Sequence, residues 1–382
     1  MRAVADDALP ATAGFAHEMF FCLGCLACQS VCPADVQYAE LIEYARAEAV
    51  RSGAAGKRGF WRSFFLKVLF TSRPRIRWFG RLLRFYQRSG MRVLLQKSGL
   101  LRLLGRRRAE LEAFLPRISR EFTPQGRFQA RGHPKYRVGL LAGCVQDIAF
   151  AEVNRDTLSV LQANGCEVLV PPAQQCCGSL HGHNGDLETA GRLARANIDA
   201  FPVEDLDAVI VNSAGCGSFM KHYDRLLAED IRYRERAAAW SKKVRDIAEF
   251  LVEVNFRKPG AAVESRTVTY HDACHLCHGQ KIRTQPREVL RAVPGIKLVE
   301  LPESEWCCGS AGIYNITHPE LANQLLERKM RNIAGTGASI VACGNPGCAI
   351  QIQQGAARSA IPLTVRHPVS LLAEAYRRET RP

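Results

Sequence analysis

Adjacent cysteines that occur twice, about 130 residues apart, are the feature of this sequence with the clearest chemistry. The first set is Cys144, Cys176, Cys177 and Cys216, and the second is Cys274, Cys307, Cys308 and Cys348. Matched positions differ by 130 to 132 residues, so the thiols recur almost in register. Core packing has no need of paired cysteines at this period. Four thiolates from separate loops can instead bind an iron–sulfur cluster or a zinc ion, and both alternatives stay open for each set, as does a set without metal.

A third cysteine group, near the start of the chain, has a more specific spacing. Residues 22–33 have the pattern C-x₂-C-x₂-C-x₃-C-P of bacterial-type [4Fe–4S] ferredoxins. Zinc knuckles usually pair two C-x-x-C units at a distance, which disfavours zinc here. We predict that Cys22, Cys25 and Cys28 bind a [4Fe–4S] cluster. In two-cluster ferredoxins the fourth cysteine binds the other cluster, so Cys32 is expected to bind this cluster or a neighbouring one.

Composition places the chain among globular proteins with reduced thiols. It has 382 residues, 47% of them apolar, and 15 cysteines, an odd number that argues against a disulfide framework. The first 15 residues include Asp6 and Asp7 and contain no apolar stretch typical of a signal peptide. No apolar run approaches the roughly 20 residues that a membrane span requires. We therefore expect a cytoplasmic protein.

The net charge of +15 is concentrated in one segment. Residues 49–109, here called the Arg-rich segment, contain 17 Lys and Arg and no Asp or Glu, whereas the rest holds 35 basic and 37 acidic residues. Apolar residues at helical spacing recur in it, for example Phe64, Val68, Leu82 and Leu100–Leu104. Two interpretations stay open: a face for anionic lipid or an acidic partner, or packed helices with a solvated basic side. No nucleic-acid-binding motif accompanies the charge.

Each repeat around the paired cysteines predicts alternating strands and helices. Strands are expected at 136–142, 166–170, 208–212, 267–270, 297–301 and 339–342, and helices at 38–50, 154–164, 187–201, 287–292 and 320–333. Such alternation predicts parallel sheets, whose ligands bind at the carboxyl ends of the strands. The single cysteines of both sets follow predicted strands. A stretch at 124–134 resembles a linker.

Motifs for other chemistry are absent. The sequence has no G-x-G-x-x-G opening a helix, no phosphate-binding P-loop, no nucleophile elbow and no paired-carboxylate motif. We therefore identify no catalytic residue, and expect the chain to carry electrons rather than to break bonds.

The doubled Cys-Cys-Gly units resemble the cysteine-rich (CCG) domain found in heterodisulfide reductase and in the glycolate oxidase iron–sulfur subunit. That domain closes with C-x-x-C, but here Ser213 and Asn345 replace the first cysteine of the closing pair. Heterodisulfide reductase relatives use five thiolates per noncubane cluster, and four remain in each repeat. Longer runs, including residues 271–280 and 301–315, are similar to the glycolate oxidase iron–sulfur subunit almost word for word.

This resemblance implies a function. The chain would be the electron-transfer subunit of a complex that oxidises glycolate or another 2-hydroxy acid. It would receive electrons from a flavin-binding subunit and relay them towards a membrane quinone, with the isolated chain not catalytic. A peripheral place on the inner face of the membrane would follow. Alternatives are a heterodisulfide-reductase-like or lactate-utilisation subunit, and a zinc-stabilised assembly factor.

The resemblance also suggests a fold with two tandem Rossmann-like CCG domains. The expected boundaries are 1–51 for an all-α ferredoxin-type segment, 52–135 for the basic helical region and linker, 136–258 for the first CCG domain and 266–382 for the second. In the family another ferredoxin quartet precedes the first residues matched here. We therefore expect the reading frame upstream of Met1 to encode it, which translation of that DNA tests.

Histidines flank the paired cysteines and could assist them. Among these, His271 and His275 are expected to support the metal ligands through hydrogen bonds rather than to act as ligands. Cys166, Cys277 and Cys343 fall outside the repeated sets and are expected to be small buried residues.

Overall fold

Short strands rich in valine and isoleucine form two parallel sheets, one in each repeat. The computed structural model describes residues 1–56, 59–99, 105, 112 and 114–379. The strands are β1 (Gly126–Phe128), β2 (Tyr136–Leu140), β3 (Cys166–Val170), β4 (Ala208–Val211), β5 (Val244–Asp246), β6 (Arg266–His271), β7 (Ile296–Val299), β8 (Ile340–Cys343) and β9 (Thr364–Arg366). The first sheet has the order β1-β3-β2-β4-β5, with only β1 antiparallel, and the second has β7-β6-β8-β9.

Helices precede the first sheet and cover both sheets. Before β1 they span Arg2–Ala5, Ala13–Phe21, Ala27–Ser30, Tyr38–Arg51, Phe60–Phe64, a π-helical turn Phe65–Leu69, Arg73–Arg88 and Met91–Lys97. In the first repeat they span Val145–Ala149, Ala151–Ala163, Ser179–Gly182, Leu187–Ala200, a 3₁₀ turn Val203–Asp205, Ala214–Met220, Tyr223–Leu226, Arg234–Lys243 and Ile247–Glu253. In the second they span a π-helical turn His275–Gly279, Thr284–Arg291, Tyr314–Thr317, Pro319–Gly335, Pro346–Arg358 and Pro368–Glu379.

The fold class predicted from the sequence is confirmed: two tandem parallel α/β domains follow a helical region. The six expected strands are present, and their ends lie within two residues of the predicted ones. The stretch 124–134, expected as a linker, instead contains β1, which adds an antiparallel edge to the first sheet. β1, β5 and β9 are missing from the prediction because three-residue strands are too short to display periodicity.

The last helix ties the second repeat to the first. Helix Pro368–Glu379 contributes Val369, Leu372 and Tyr376 to the core formed around β2 and β3 of the first repeat. Arg377 Nη1 lies 2.6 Å from Asp156 Oδ1, which adds a charged contact beside this apolar one. The two domains therefore share a core rather than joining through a flexible linker.

The Arg-rich segment packs on the first repeat with one face and exposes aromatic residues on the other. Leu69 and Ile76 are buried with Ile148, and the partly buried Cys144 packs against the same group. Trp61 and Trp78 remain 69% and 60% exposed. The leucines expected to be helical at 100–104 lie outside the described residues. None of the described helices combines the length and apolar character that crossing a membrane requires.

The glycine of each Cys-Cys-Gly unit is required by backbone geometry. Gly178 and Gly309 adopt left-handed conformations, with φ of +86° and +88°. A Cβ at Gly309 would approach the carbonyl oxygen of Ala322 closely, and one at Gly178 would lie 3.2 Å from the carbonyl oxygen of Ala190. Both contacts are with the next long helix. Glycine thus lets the paired cysteines pass close under that helix.

Candidate metal centres

The repeated cysteines lie at the carboxyl ends of parallel strands. Cys144 and Cys216 follow β2 and β4 in the first repeat, and Cys274 and Cys348 follow β6 and β8 in the second. These strands are neighbours in their sheets. Because strand ends of a parallel sheet meet at one edge, the loops bring the single cysteines together, as expected from the sequence.

The first site consists of Cys144, Cys176, Cys177 and Cys216. Sγ of Cys144 lies 3.5 Å from Sγ of Cys176, and Cys177 is in hydrogen-bond contact with both Cys176 and Cys216. The hydrogen bond to Cys176, together with burial, raises the pKa of Cys144 well above its usual value. The hydrogen bonds with Cys144 and Cys177 lower the pKa of Cys176 well below it. The thiolate is the form of cysteine that binds metal.

The second site consists of Cys274, Cys307, Cys308 and Cys348. Cys274 contacts Cys307, and Cys308 contacts Cys348, through side-chain hydrogen bonds. The pKa of Cys274 is raised well above its usual value by its hydrogen bond to Cys307 and by burial. All four predicted ligands are thus brought together in each repeat.

Two further donors adjoin the second site. Cys343 ends β8 and is in hydrogen-bond contact with Cys348. His271 ends β6 directly opposite Cys343 in the sheet register, and its ring lies with Cys308 and Cys348 in a group whose donor atoms are within 4.8 Å of one another. From the sequence, Cys343 is predicted to be a small buried residue outside the repeated set, whereas the structure places its thiol in contact with the site residue Cys348.

A buried cation accompanies this thiol group. Lys329 is fully buried, and its Nζ donates to the backbone carbonyl oxygens of Glu303 (2.5 Å) and Ser304 (3.2 Å). Burial lowers the pKa of Lys329, whereas the charges of Cys308, Cys307 and Cys348 raise it. A buried ammonium bound to neutral carbonyls is costly without a nearby negative charge. An anionic centre at the second site would supply that charge.

The ferredoxin loop, residues 22–33, gathers its first three thiols. Cys25 interacts electrostatically with Cys22 and Cys28, and also with Cys274 of the second site. Burial is the main reason that the pKa of Cys25 is raised. Cys22 Sγ accepts hydrogen bonds from Gly24 N (3.3 Å) and Tyr38 Oη (3.6 Å).

Cys32, the fourth cysteine of the loop, lies on a turn after helix Ala27–Ser30. It is partly buried, and its backbone N–H donates to Gln29 O at 3.3 Å. Its role as a ligand stays a prediction.

The ferredoxin loop docks against both CCG domains. His275 Nε2 donates to Gly24 O at 2.9 Å, and a hydrogen bond of 2.9 Å joins His278 Nδ1 to Ser30 Oγ. The buried Arg46 donates to Cys22 O and to His183 O of the first domain. His183 in turn pairs with Glu43 and lies edge-on to His275, with ring centroids 4.9 Å apart.

His275 therefore hydrogen-bonds to the backbone of the cysteine loop. Its supporting role for the metal ligands stays a prediction. Burial lowers the pKa of His275 to about 4.

Asn345, which replaces a cysteine of the closing pair, bridges the two CCG sites. Its side-chain nitrogen donates to Cys348 Sγ at 3.3 Å, and its side-chain oxygen accepts from Gly215 N at 3.3 Å. The adjacent backbone adds a bond from Ala214 N to Gly344 O at 3.0 Å. The loop that carries Cys216 and the loop that carries Cys348 are thus in direct contact.

Two cysteines behave as the packing residues predicted from the sequence. Cys166 lies in β3 within the apolar core, and burial raises its pKa to about 12. Cys277 is buried beside Cys274, and its thiol donates to the backbone carbonyl oxygens of Asp272 and Cys274, at 3.9 and 3.7 Å. Burial raises the pKa of Cys277 to about 12 as well.

The donor chemistry suits iron–sulfur clusters. Thiolate-rich sets of four, buried and drawn from several loops, match the ligands that iron–sulfur clusters and zinc require. The interaction between Cys25 and Cys274 places two thiol groups close enough to influence each other's charge. Neighbouring redox centres need this proximity, whereas isolated structural zinc ions do not.

Comparisons with known proteins agree with this arrangement. The family model described as "Cysteine-rich domain" matches residues 138–221 and 268–353, and "Glycolate oxidase iron-sulfur subunit, linker region" matches residues 57–115. The chain is 39% identical over 388 residues to the probable glycolate oxidase iron-sulfur subunit of Bacillus subtilis, covering 100% of this chain and 87% of that protein.

Two further relatives extend the comparison. The glycolate oxidase iron-sulfur subunit of Escherichia coli is 30% identical over 365 residues, covering 94% of this chain and 82% of that protein. Lactate utilization protein A of Oceanobacillus iheyensis is 32% identical over 237 residues, covering 62% of this chain and 96% of that protein.

Proposed function

Since this chain belongs to the glycolate oxidase iron–sulfur subunit family, we propose that it carries electrons within a complex that oxidises glycolate or a similar 2-hydroxy acid. A separate flavin-binding subunit would oxidise the substrate, and a membrane quinone would be the final acceptor. The isolated chain would not be catalytic. A bound iron–sulfur cluster supplies a site that accepts and donates one electron at a time.

The observation that carries this proposal is the contact between the ferredoxin loop and the second CCG site. Cys25 and Cys274 come from segments about 250 residues apart, yet His275, next to Cys274, donates through Nε2 to the carbonyl oxygen of Gly24, next to Cys25. His275 and His278, on the turn that follows Cys274, hold the ferredoxin loop in place. A relay requires such fixed proximity between centres.

The chain's own residues give the relay its rigidity. Arg46 joins the ferredoxin loop to the first domain, and Asn345 joins the loops of the two CCG sites. Both contacts are short and at least partly buried, so the three thiol groups keep fixed relative positions. In this scheme Cys22, Cys25, Cys28 and Cys32 bind a [4Fe–4S] cluster, and each CCG site binds a further cluster.

The Arg-rich segment suits an anionic lipid surface near the quinone. Trp61, Trp78 and Phe85 are 69%, 60% and 65% exposed, within a segment that has no acidic residue over residues 49–109. Arginine beside aromatic side chains is typical of surfaces that bind anionic membranes. The other face of this segment packs over Cys144, which would place the first site close to the membrane.

Anaerobic purification tests the cluster assignment. We expect iron and inorganic sulfide in amounts near one [4Fe–4S] cluster for each thiol group, with little zinc. Cys25→Ser, Cys144→Ser and Cys274→Ser should each lower the iron content by about one cluster, whereas Cys166→Ala should not. Colourless protein with zinc and no sulfide would contradict the proposal.

Reconstitution with the flavin-binding subunit tests the relay. Glycolate added under argon should bleach the visible absorption of the iron–sulfur chain only when that subunit is present. Lactate should be tried beside glycolate, since the relatives' names differ in that respect.

A heterodisulfide-reductase-like activity is the second candidate. Cys343 contacts Cys348, which gives the second site five neighbouring thiols despite the loss of a cysteine at Asn345. Turnover of small disulfides by the reduced chain would favour this function. Reduction by 2-hydroxy acids without any disulfide turnover would favour the first.

A further inference from the structure

His271 is held in one orientation by a hydrogen bond that also fixes its proton. It is fully buried, and its Nδ1 lies 3.1 Å from Ser304 O. The same carbonyl oxygen accepts from Asp272 N and from Lys329 Nζ, each at 3.2 Å. A carbonyl oxygen only accepts, so the imidazole proton resides on Nδ1. This carbonyl-to-histidine bond is typical of metal-binding histidines.

The other ring nitrogen of His271, Nε2, is buried and has no polar partner among the residues that the structure describes. In a neutral ring protonated at Nδ1, Nε2 has a lone pair and no proton, so it cannot donate a hydrogen bond to a cluster sulfur. A buried lone pair without a partner is costly, and a metal atom would satisfy it.

The first repeat has no histidine at the matching position, although the buried His181, whose Nε2 bonds to Leu66 O at 2.7 Å and whose Nδ1 has no partner among the described residues, lies near Cys176. The offsets between the repeats align His271 with Leu141 and Cys343 with Val211, both apolar and buried. The two sites thus share four cysteines, but only the second adds an imidazole within 4.8 Å of the Cys308 and Cys348 thiols. Packing alone would have allowed leucine at position 271, as it does at position 141.

We propose that Nε2 of His271 binds a metal atom of the centre at the second site, beside Cys308 and Cys348. The proposal rests on the proposed function only for the identity of the metal as iron. The two CCG domains would then hold centres with different ligands, all-thiolate in the first and mixed in the second. A neutral histidine in place of a thiolate raises the reduction potential of an iron–sulfur centre. The second site would therefore be the easier of the two to reduce.

Pulsed electron paramagnetic resonance of the reduced, reconstituted full chain tests this ligand. Protein labelled with ¹⁵N-histidine should show a strong nitrogen coupling that changes between the ¹⁴N and ¹⁵N samples. His271→Leu, which copies the first repeat, should abolish this coupling and lower the potential of one centre. The control His133→Gln, at an exposed histidine outside the three thiol groups, should retain both.

The outcomes separate the two proposals. Iron and sulfide at the second site without any histidine coupling would overturn the histidine ligand and leave the electron-carrier function intact. Absence of iron and sulfide from the second site would overturn both. If His271→Leu fails to fold, the isotope comparison in the unmutated chain still decides.

Discussion

The side-chain nitrogen of Asn345 donates a hydrogen bond to Cys348 Sγ across 3.3 Å. Asn345 occupies the position where the CCG pattern has a cysteine. In place of a thiol, this position therefore has a side-chain amide that donates a hydrogen bond to the thiol of Cys348. Hydrogen bonds to cluster sulfurs raise the reduction potential because they stabilise the added negative charge. With a cluster bound at the second site, Asn345 would therefore raise its reduction potential in addition to linking the site to Gly215.

Replacing Asn345 with alanine should lower the reduction potential of one centre without removing iron. Redox titration followed by electron paramagnetic resonance measures this shift. Ser213→Ala is the matched control, because Ser213 holds the corresponding position in the first repeat. Equal potentials in Asn345→Ala and the unmutated chain would show that the hydrogen bond has no such effect.

His275→Ala should loosen the ferredoxin loop. The lost hydrogen bond leaves the Gly24 carbonyl without its buried partner, which costs about 1–3 kcal/mol locally. We expect faster hydrogen–deuterium exchange at residues 22–33 and faster loss of one cluster's iron to a chelator. His133→Ala, at an exposed histidine, should change neither. Unaltered exchange in His275→Ala would mean that other contacts hold the loop.

Asp147→Asn should destabilise the attachment of the Arg-rich segment. Asp147 is completely buried and pairs with Arg77 at 2.6 Å and Arg73 at 3.2 Å. Burial alone would raise its pKa, but the hydrogen bonds and charges of Arg77 and Arg73 lower it. Removing one partner of a buried ion pair costs about 3–5 kcal/mol.

Urea unfolding followed by circular dichroism measures this loss. Glu48→Gln, which breaks the more exposed pair with Arg51, should cost less than about 1 kcal/mol. If both variants lost a similar free energy of unfolding, the inference that the buried ion pair contributes more than the exposed one would be contradicted.

Asp246 should make stability fall as pH rises. Its buried carboxyl caps helix Ile247–Glu253, and burial raises its pKa to about 7. Between about pH 4 and 7 the folded chain keeps a proton that the unfolded chain has released. The free energy of unfolding is therefore highest at low pH and decreases as the pH rises through this range.

Asp246→Asn keeps the capping acceptor and removes the charge. Relative to this variant, the unmutated chain should lose about 2–3 kcal/mol of unfolding free energy between pH 5 and pH 8. Unfolding at several pH values measures the difference, with Asp205→Asn at an exposed site as the control. Parallel pH profiles for Asp246→Asn and the unmutated chain would refute the assignment.

Trp61→Ser should weaken binding to anionic vesicles. Tryptophan at 69% exposure within an Arg-rich surface can insert among lipid headgroups, and the arginines add a salt-sensitive attraction. Sedimentation with phosphatidylglycerol vesicles should recover the unmutated chain at low salt, and phosphatidylcholine vesicles should not. Ile231→Ser removes an apolar side chain that is 86% exposed outside this segment, and should have no effect. Equal recovery of the Trp61 and Ile231 variants would disprove the membrane face.

Much of the fold could be predicted from the sequence because its signals are local. Valine-rich runs and helical spacing located six strands and five helices, but not Pro346–Arg358 or Pro368–Glu379, since side-chain periodicity follows backbone geometry only where the pattern is clear. The cysteine spacing also indicated which thiols gather, because strand ends of a parallel sheet share one edge. The strands β1, β5 and β9 were not predicted because three residues are too few to show the alternation typical of a strand.

Relationships between distant segments were decided only by tertiary structure. No sequence pattern predicts that Cys25 lies near Cys274, that Cys343 joins Cys348, or that Asp147 buries two arginines. Nor does a pattern reveal which nitrogen of His271 is free, because that depends on where the carbonyl of Ser304 comes to lie. The sequence by itself determined the types and approximate grouping of the donors. Their orientation and proximity depend on how the two domains and the ferredoxin loop pack.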